Sequence, residues 1–424
     1  MNRNKRRLAL HGQSFLDSAV TEPSGLLELG SESARQLLAW RPDALAQIFR
    51  SDRFMRMEGS GTLGPLVGDR SVLFANGTRH SKYRQVLGSP MRGRQLSAYH
   101  SLIADTTHAA IDTLHDASTV MLPEWSRELA LRIIGQIVLG GTSDELLTRY
   151  TTWVDDALGT PRRALAYRYL RLPHAIPSPW RTFLTRREGL RRDLLQQAVR
   201  GARESSCPTL TGQLINGTAP LGTVSEPDLV DQVMSLLFAG HETSASAIAW
   251  TLFWLEQNEQ LNRDVRDELA ATSSDGSSAE AVPLLDAVCR EALRLSPPAT
   301  VAGNRILVKD QELFGQPLTQ GTRVTPCIYL AHRQPDIYPE PLRFNPNRFL
   351  NKRWSVHEYL PFGGGVRRCL GADLAMLELR MIVAAVLRRV ELHCLNPETG
   401  VPQQRGPAMG PKRTLTMSVR TRRS

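Results

Sequence analysis

The chain has 424 residues, of which 41% are hydrophobic and 22% charged, and its net charge of +10 gives a pI near 9.7. This ordinary globular composition excludes a fibrous or broadly disordered protein. A basic surface favours acidic partners. Because the basic residues are scattered and aromatic residues make up only 6%, an acidic redox protein is at least as good a candidate partner as nucleic acid.

The N-terminal segment MNRNKRRLALHGQSFL is basic, but its apolar stretch is too short for a signal peptide. The longest apolar stretches, such as 381–387, fall far short of the roughly 18 residues that a membrane helix needs. Cysteines at 207, 289, 327, 369 and 394 form no C-x-x-C pair, which indicates neither a disulfide framework nor a structural zinc site. We therefore expect a cytoplasmic protein without a membrane span.

The predicted fold class is mainly α with small β-sheets, in one domain over residues 1–424, with 1–20 as a candidate flexible segment. Helical periodicity dominates residues 95–300. Strand-like alternation occurs near both ends and in NRILVKDQELFGQPL and RTLTMSVR. The Ser-, Gly- and Pro-rich stretches 208–222 and 272–278 are predicted to be exposed loops.

One long helix is predicted to begin at Ser225, whose hydroxyl can cap it, with Pro227 in the first turn, and to end near Glu256. At about 1.5 Å per residue it would span roughly 45 Å. Because most of its faces are apolar, it should cross the centre of the protein. Its middle, A-G-H-E-T-S over 239–244, should then contact whatever the core contains.

That middle segment carries a possible catalytic motif. His241 and Glu242 could belong to an H-E-x-x-H zinc protease, but Ala245 occupies the position of the second histidine, and a catalytic zinc needs three protein ligands. His241 is therefore interpreted as structural. The Thr243 hydroxyl can bond a carbonyl one turn back and loosen the helix locally.

Further along the chain, Glu291 and Arg294 lie three residues apart in VCREALRLSPP, so they share one helix face and can pair. An isolated pair of this kind is usually solvated and contributes a few tenths of a kcal/mol, on the order of 0.3. The spacing alone leaves open whether this pair is a surface pair or part of a buried network.

A glycine-rich loop, F-G-G-G-V-R-R-C-L-G over 362–371, precedes a segment with helical periodicity. Cys369 is thus predicted just before a helix N-terminus, where free N–H groups and the helix dipole stabilise a thiolate. Such a thiolate can ligate iron and favour O–O cleavage. The alternative is an inert buried cysteine beside an ordinary glycine turn.

The loop matches F-x-x-G-x-R-x-C-x-G at every fixed position, which chance would produce in roughly one such chain in ten thousand. It resembles the haem loop of the cytochrome P450 family. The A-G-H-E-T-S segment, the E-x-x-R pair and P-N-R-F at 346–349 resemble further family signatures, in the family's order. The resemblance extends from about residue 70 to the C-terminus and implies the P450 fold, with the long helix crossing over the haem.

The resemblance implies haem b as cofactor, with Cys369 as the axial ligand of its iron. It makes Glu242 and Thr243 a proton-delivery pair. It also joins Glu291 and Arg294 to Arg348 in a fold-locking network without a catalytic role, although Asn347 replaces the acid that the family often has there. The remaining haem-contacting positions that it implies are Ala239, Gly240, Phe362, Gly365, Gly371 and four residues that would neutralise the propionates, Arg367, Arg305, His80 and Arg84. For the last four, a solvated side chain is the alternative.

The function implied by the resemblance is a monooxygenase that inserts one atom of O2 into an apolar organic substrate, in natural-product, terpenoid or fatty-acid metabolism. We expect a monomer that has no nucleic-acid partner and receives electrons from a separate ferredoxin or flavodoxin and an NAD(P)H-dependent reductase. Basic residues are candidates for docking an acidic ferredoxin, with ordinary solvation as the alternative: Lys82, Arg84, Arg92, Lys352, Arg353 and Arg368.

By the same analogy, the substrate pocket draws on segments 55–73 and 158–183 and on five single residues, Ala239, Ala299, Thr300, Val301 and Met409. The second segment is rich in Arg and Tyr and could receive an anionic substrate or a carrier protein, but we favour a solvated lid. Two rival functions are left open. One is an isomerase, dehydratase or peroxide-using enzyme without external electrons, against which Glu242 and Thr243 argue; the other is a non-enzymatic haem sensor or carrier.

Overall fold

A computed structural model describes residues 3–30, 34–57, 63–141, 143–158, 179–217, 219–272, 282–405 and 408–421. The helices in chain order are α1 Arg3–Ala19, α2 Pro42–Ser51, α3 Gly64–Val67, α4 Gly77–Gly88, α5 His100–Asp112, α6 Leu122–Leu139, α7 Asp144–Leu158, α8 Pro179–Glu204, α9 Leu210–Ile215, α10 Glu226–Glu256, α11 Glu259–Ala271, α12 Pro283–Leu295, α13 Ile328–Ala331, α14 Asn347–Leu350 and α15 Ala372–Arg389.

The strands are short. They are β1 Leu26–Glu28, β2 Gln36–Ala39, β3 Met55–Met57, β4 Thr119–Met121, β5 Arg305–Leu307, β6 Gln311–Leu313, β7 Gln316–Leu318, β8 Arg323–Pro326, β9 Val390–Cys394, β10 Pro402–Arg405, β11 Ala408–Pro411 and β12 Thr416–Thr421. This architecture confirms the predicted fold class, mainly α with small sheets. It also confirms strands in both of the segments chosen by their alternating pattern.

The chain divides into two compact units. Unit 1 comprises Met1–Glu58 and Ala287–Ala372, and unit 2 comprises Gly59–Asp286 and Asp373–Ser424. The boundaries fall inside α12 and at the beginning of α15. Each unit contains its own sheets and its own part of the predicted site.

Unit 1 is built on a five-stranded sheet of order β1-β2-β8-β5-β3. The β2 and β8 strands run parallel, with Leu37 opposite Val324, and the other neighbours are antiparallel. The α2 helix covers this sheet, because its Ala44 and Ile48 are buried in one cluster with Leu37 and Val324. In α1, Phe15, Leu16 and Ala19 are also buried, so the C-terminal part of this helix belongs to the folded core.

Unit 2 is organised around α10, which begins and ends where the sequence predicts. The Ser225 hydroxyl accepts a hydrogen bond from Asp228 N at 3.3 Å, and Pro227 lies in the first turn. The α6 helix packs closely against α10. A Cβ atom added to Gly240 would lie 2.6 Å from Ile134 Cγ1, so the glycine permits this close approach of the two helices.

Two features of unit 2 differ from, or add to, the sequence expectations. The stretch 208–222 is not simply a loop, because it contains α9. The Thr209 hydroxyl caps this helix by accepting from Gly212 N at 2.9 Å, and Leu210 and Leu214 are buried. The second predicted loop lies outside the described residues from 273 onward. Among the described helices, none combines the length and apolar character that crossing a bilayer requires.

Candidate active site

The cysteine loop of unit 1 has the local geometry of a ligand loop. Cys369 lies just before α15, which begins at Ala372. Its N–H donates to Phe362 O at 2.8 Å, and Arg368 N–H donates to Gly365 O at 3.1 Å. With all five cysteines described, only Cys369 is exposed. By contrast, burial raises the pKa of Cys327 to about 12, which keeps that thiol protonated.

Asp52, which no sequence motif marks, holds this loop. Asp52 Oδ2 accepts from Val366 N at 2.9 Å, and Asp52 Oδ1 accepts from Arg305 Nε at 2.6 Å. A Cβ atom on Gly365, whose φ is +65°, would lie 2.0 Å from Asp52 Oδ2. The glycine is therefore required both by its backbone conformation and by the approach of the carboxylate.

Arg305, a predicted propionate partner, is almost fully buried in unit 1. Besides Asp52, its guanidinium donates to Gly303 O and to Gly364 O, each at 3.0 Å. These three bonds give Arg305 a positioning role toward the cysteine loop. Contact with a propionate stays a prediction for this residue.

The structure brings together the three charges of the predicted fold-locking network. Arg294 Nε and Nη2 donate to both oxygens of Glu291 at 2.7 and 2.8 Å, and both side chains are fully buried. Arg348 Nε lies 3.4 Å from Glu291 Oε1. Arg294 also donates to His332 O and Pro341 O, each at 2.8 Å. The network ties α12 to the chain that precedes the cysteine loop within unit 1.

In unit 2, one face of the middle of α10 is accessible to solvent. Most residues before it, from Leu229 to Phe238, are buried, whereas Ala239 is exposed and Thr243 is half-buried. These two residues are one turn apart and share a face. The Thr243 hydroxyl donates to Ala239 O at 2.6 Å, which is the bond to a carbonyl one turn back that the sequence pattern predicts.

Glu242 points into a buried charge network on another face of α10. Its Oε1 accepts from Arg127 Nε at 2.6 Å, and Arg127 binds both oxygens of Asp155 at 2.8 and 2.6 Å. Arg413 lies 3.2 Å from the same Asp155. Burial alone would raise the pKa of Asp155, but the hydrogen bonds and charges of the two arginines outweigh it and lower that pKa.

His241 is fully buried beside this network, with its Nδ1 3.8 Å from Glu242 Oε1. Burial lowers the pKa of His241 to about 4, with the Glu242 charge opposing the shift, so the imidazole is neutral. Its ring packs edge-on against Tyr150 at 6.3 Å between centroids. The structure thus gives His241 a packing environment and no cluster of metal ligands, within the part of the chain that it describes.

A second acid contacts the centre of α10 and was not a sequence candidate. Ser244 Oγ donates to Glu378 Oε2 at 3.1 Å, and Glu378 is a buried residue of α15 within unit 2. Burial is the main influence on this carboxyl and raises its pKa to about 8, with the Ser244 hydrogen bond opposing the shift. Neither its partner nor its burial can be inferred from a helical periodicity.

The remaining predicted residues fall in both units. His80 is buried and Arg84 half-buried on α4 of unit 2, one turn apart on the same face. Met409 is buried on β11, and its carbonyl accepts from Trp250 Nε1 at 3.4 Å. The other predicted positions belong to unit 1, where they lie in the cysteine loop and in the segment after α12. All of them are half-buried or exposed: Phe362, Gly365, Arg367, Gly371, Ala299, Thr300 and Val301. Residues 58–62 and 159–178 of the predicted pocket segments lie outside the described residues.

The described residues fit a haem group by their chemistry. Unit 1 presents an exposed thiol at a helix N-terminus, where a thiolate is stabilised. Unit 2 presents a largely buried helix that exposes Ala239 at its centre and carries an alcohol one turn later. A soft sulfur ligand and a small-residue face are what a thiolate-ligated macrocycle needs.

Comparison with known proteins gives the same assignment. The cytochrome P450 family model matches residues 28–417. Cytochrome P450 135A1 of Mycobacterium tuberculosis is 29% identical over 367 residues, 85% of this chain and 79% of the relative. Cytochrome P450 135B1 of Mycobacterium bovis is 29% identical over 403 residues, 90% and 81% of the two chains.

Two solved structures share the fold. Cyanobacterial CYP120A1 with bound retinoic acid superposes with a TM-score of 0.85 at 23% identity, covering 98% of this chain and 96% of that chain. The haem domain of cytochrome P450DA gives a TM-score of 0.81 at 18% identity, covering 98% and 95%. The chain therefore belongs to the cytochrome P450 family, whose members bind haem and carry out haem-thiolate oxidation chemistry.

Proposed function

We propose that this protein is a monooxygenase that inserts one atom of O2 into an apolar organic substrate of natural-product, terpenoid or fatty-acid metabolism. The observation that carries the proposal is the centre of α10. There, the ion-paired acid Glu242 is followed directly by Thr243, whose hydroxyl is held on a carbonyl at an open face of the helix. Oxygen chemistry that consumes protons is assisted by side chains placed to deliver them, and a haem carrier has no such use for them.

In this proposal, Cys369 is the iron ligand and haem supplies the oxygen chemistry when it is bound. The protein contributes the N-terminus of α15, which stabilises the thiolate through its free N–H groups and dipole. Asp52 and Arg305 keep the loop in place through Val366 N and Gly364 O. A ligand held by rigid backbone contacts keeps its orientation throughout the reaction.

Thr243 orients a proton donor. Because its own proton is directed to Ala239 O, its lone pairs are left to accept a hydrogen bond from a water or a protonated group at the open face of α10. Glu242 supplies charge next to this alcohol, and Arg127 fixes the direction of its carboxylate. Water exclusion then depends on the buried stretches of α10 on either side.

Electrons come, in this proposal, from a separate ferredoxin or flavodoxin reduced by NAD(P)H. Exposed basic residues in each unit support an acidic partner, among them Lys82 and Arg92 in unit 2 and Arg353 and Arg368 in unit 1. An attraction of this kind is screened by salt. Reduction rates measured with an acidic ferredoxin should therefore fall as ionic strength rises.

The test begins with the carbon monoxide difference spectrum of the dithionite-reduced protein. Thiolate ligation is expected to give the long-wavelength band of a haem-thiolate protein, and Cys369→Ser should lose it. Cys207→Ser is the matched control, since Cys207 is half-buried and donates to Ala98 O. A short-wavelength band only, in freshly prepared protein, would contradict the thiolate assignment.

A second measurement separates a monooxygenase from its rivals. NAD(P)H-dependent oxygen consumption, with an added ferredoxin and reductase, should increase when an apolar substrate that shifts the haem spectrum is present. Substrates are screened by that spectral shift. Product formed without any electron donor would instead indicate an isomerase or dehydratase, and spectral binding without turnover would indicate a sensor or carrier.

A further inference from the structure

A buried ion pair in unit 1 joins Asp52, which directly follows α2, to Arg305, the first residue of β5. Arg305 Nε donates to Asp52 Oδ1 at 2.6 Å, and the two side chains are 2% and 3% exposed. Both partners also bind the backbone of the cysteine loop. Asp52 Oδ2 accepts from Val366 N at 2.9 Å. Arg305 Nη2 donates to Gly364 O at 3.0 Å, so two opposite charges contact the segment that leads to Cys369.

An aromatic ring covers one side of this pair. Arg305 Cζ lies 5.3 Å from the centroid of the Phe49 ring, on α2, and that ring stacks on His357 at 5.8 Å between centroids. A Cβ atom on Gly364 would lie 2.3 Å from Phe49 Cε2, so the ring packs directly against the loop. Because the pair is shielded from water, its charges act more strongly on the loop than surface charges do.

Asp52 determines how much charge Arg305 presents to a bound haem. By resemblance to the P450 family, Arg305 would act as a cation toward a propionate. Asp52 compensates that cation at hydrogen-bond distance, and a compensated pair acts on its surroundings as a dipole, whose field declines faster with distance than that of a single charge. Among the described residues, three of the five N–H groups of Arg305 bind Asp52, Gly303 O and Gly364 O. The other two can donate to a carboxylate while this pairing is kept.

We propose that Asp52 is a positioning residue of the haem site, which keeps the reduction potential of bound haem low by compensating Arg305 and by fixing the cysteine loop. This role rests on the proposed function and deepens it. Uptake of one electron makes the site more negative by one charge, and a nearby uncompensated cation favours that uptake. Without the Asp52 carboxylate, Arg305 would be such a cation. The site is therefore harder to reduce with Asp52 than without it.

The same carboxylate fixes the conformation of the loop. Val366 is 56% exposed, so packing of its side chain contributes little to holding the loop at this point. Its N–H is instead held by a buried acceptor, Asp52 Oδ2. Loss of that acceptor should allow the N–H groups of the loop to exchange faster with solvent.

Redox titration of the holoenzyme, followed by its absorbance, tests the electrostatic role. Asp52→Asn keeps the shape of the side chain and removes its charge, and we expect the midpoint potential to rise. Asp336→Asn is the matched control in unit 1, because it removes the same charge from a pair with Arg41 that is 55% and 40% exposed, and it should leave the potential unchanged. Adding Arg305→Gln to Asp52→Asn removes the unpaired cation and should lower the potential again.

Hydrogen exchange followed by mass spectrometry tests the positioning role without turnover. Peptides that cover residues 362–371 should exchange faster in Asp52→Asn than in the parent, and at the parental rate in Asp336→Asn. Asp52→Glu keeps the charge and displaces it by one methylene. It should combine a potential close to that of the parent with faster exchange, and it is the variant to titrate if Asp52→Asn retains too little haem.

A midpoint potential of Asp52→Asn equal to or below the parental value, or of Asp52→Glu well above it, overturns the electrostatic role. A double variant whose potential stays at the level of Asp52→Asn overturns it as well. Exchange of residues 362–371 at the parental rate overturns the positioning role. The carbon monoxide spectrum of the parent does not depend on any Asp52 variant, so a failure there contradicts the proposed function and is distinct from these outcomes.

Discussion

Arg127 Nε on α6 donates to Glu242 Oε1 on α10 at 2.6 Å, across 115 residues of chain. Both side chains are buried, 7% and 8% exposed, and Asp155 holds the other two nitrogens of the guanidinium. Glu242, the acid that precedes Thr243, is therefore fixed from a different helix. The orientation of Glu242 depends on α6 and α7 as much as on α10.

Removing Arg127, which fixes Glu242 from α6, should destabilise the protein. Arg127→Ala leaves the buried carboxylate of Glu242 without its cation, whereas Asp155 keeps Arg413; removing one partner of a buried pair typically costs about 3–5 kcal/mol. The measurement is the free energy of unfolding in urea. Arg132→Ala is the control on the same helix, because its pairs with Glu128 and Asp144 are exposed and should contribute no more than about 1 kcal/mol. Equal losses of unfolding free energy in the two variants would contradict a stabilising role for the buried pair of Arg127 and Glu242.

The buried pair of α12 should be essential for a folded holoenzyme. Arg294→Ala removes the bidentate partner of the fully buried Glu291 and leaves it only the more distant Arg348, and we expect a loss of about 3–5 kcal/mol together with poor haem retention. Haem content after purification and the midpoint of thermal unfolding measure the two effects. Arg343→Ala serves as control, since its pair with Glu340 is 66% exposed on both sides. Full haem content in Arg294→Ala would refute this prediction.

The Thr243 hydroxyl should matter for coupling and not for folding. Thr243→Ala is expected to divert reducing equivalents to peroxide, measured as product formed per NAD(P)H consumed. Thr251→Ala is matched to it, because Thr251 Oγ1 makes the same kind of bond, to Ala247 O at 2.8 Å, two turns further along α10. We expect parental coupling in Thr251→Ala. Similar peroxide yields in both variants would show that any threonine of α10 has this effect.

The raised pKa of Glu378 predicts a pH-dependent stability. Unfolded, this group titrates near 4.5, and in the folded protein near 8. Between these values the folded state holds a proton that the unfolded state has lost, so stability falls as pH rises and levels off above about 8. Glu378→Gln should lack this loss and gain on the parent by a few kcal/mol, on the order of 3. If the unfolding midpoints of the parent and of Glu378→Gln change with pH in parallel, this would contradict a raised pKa of Glu378 in the folded protein.

Gly365 should tolerate alanine less well than Gly315. Both have a positive φ, +65° and +67°, but only Gly365 places a Cβ against another group, 2.0 Å from Asp52 Oδ2. Gly315→Ala should cost about 1–2 kcal/mol through its backbone alone. Gly365→Ala should cost more and also weaken haem binding, since the loop must move away from Asp52. Unfolding energies and haem dissociation rates measure the difference, and equal effects would exclude the clash.

Local signals made part of this structure predictable. The limits of α10 follow from Ser225, Pro227 and an apolar periodicity, which act within a few residues. The position of Cys369 before α15 follows from the glycines and the periodicity after them. The short helix α9 was missed because its composition resembles a loop and its stability comes from the burial of Leu210 and Leu214.

Local sequence patterns do not predict the long-range contacts that shape the site. Arg305 reaches Asp52 across 253 residues, and Ser244 reaches Glu378 across 134. No periodicity or spacing records which helix will bring an arginine to Glu242. Such partners depend on how elements distant in sequence pack together, and this packing cannot be predicted from the local patterns of a single sequence.

The hydrogen bond between Asp52 and Val366 N also limits when, during synthesis, the cysteine loop can reach its folded conformation. It joins positions 314 residues apart, so during synthesis the carboxylate emerges long before the loop that it holds. Loop closure over such a distance is entropically costly, and domains fold from the N-terminus as they are synthesised. The cysteine loop therefore reaches its final form only after residues 362–371 have left the ribosome, so a cofactor that depends on this loop is expected to bind after that point.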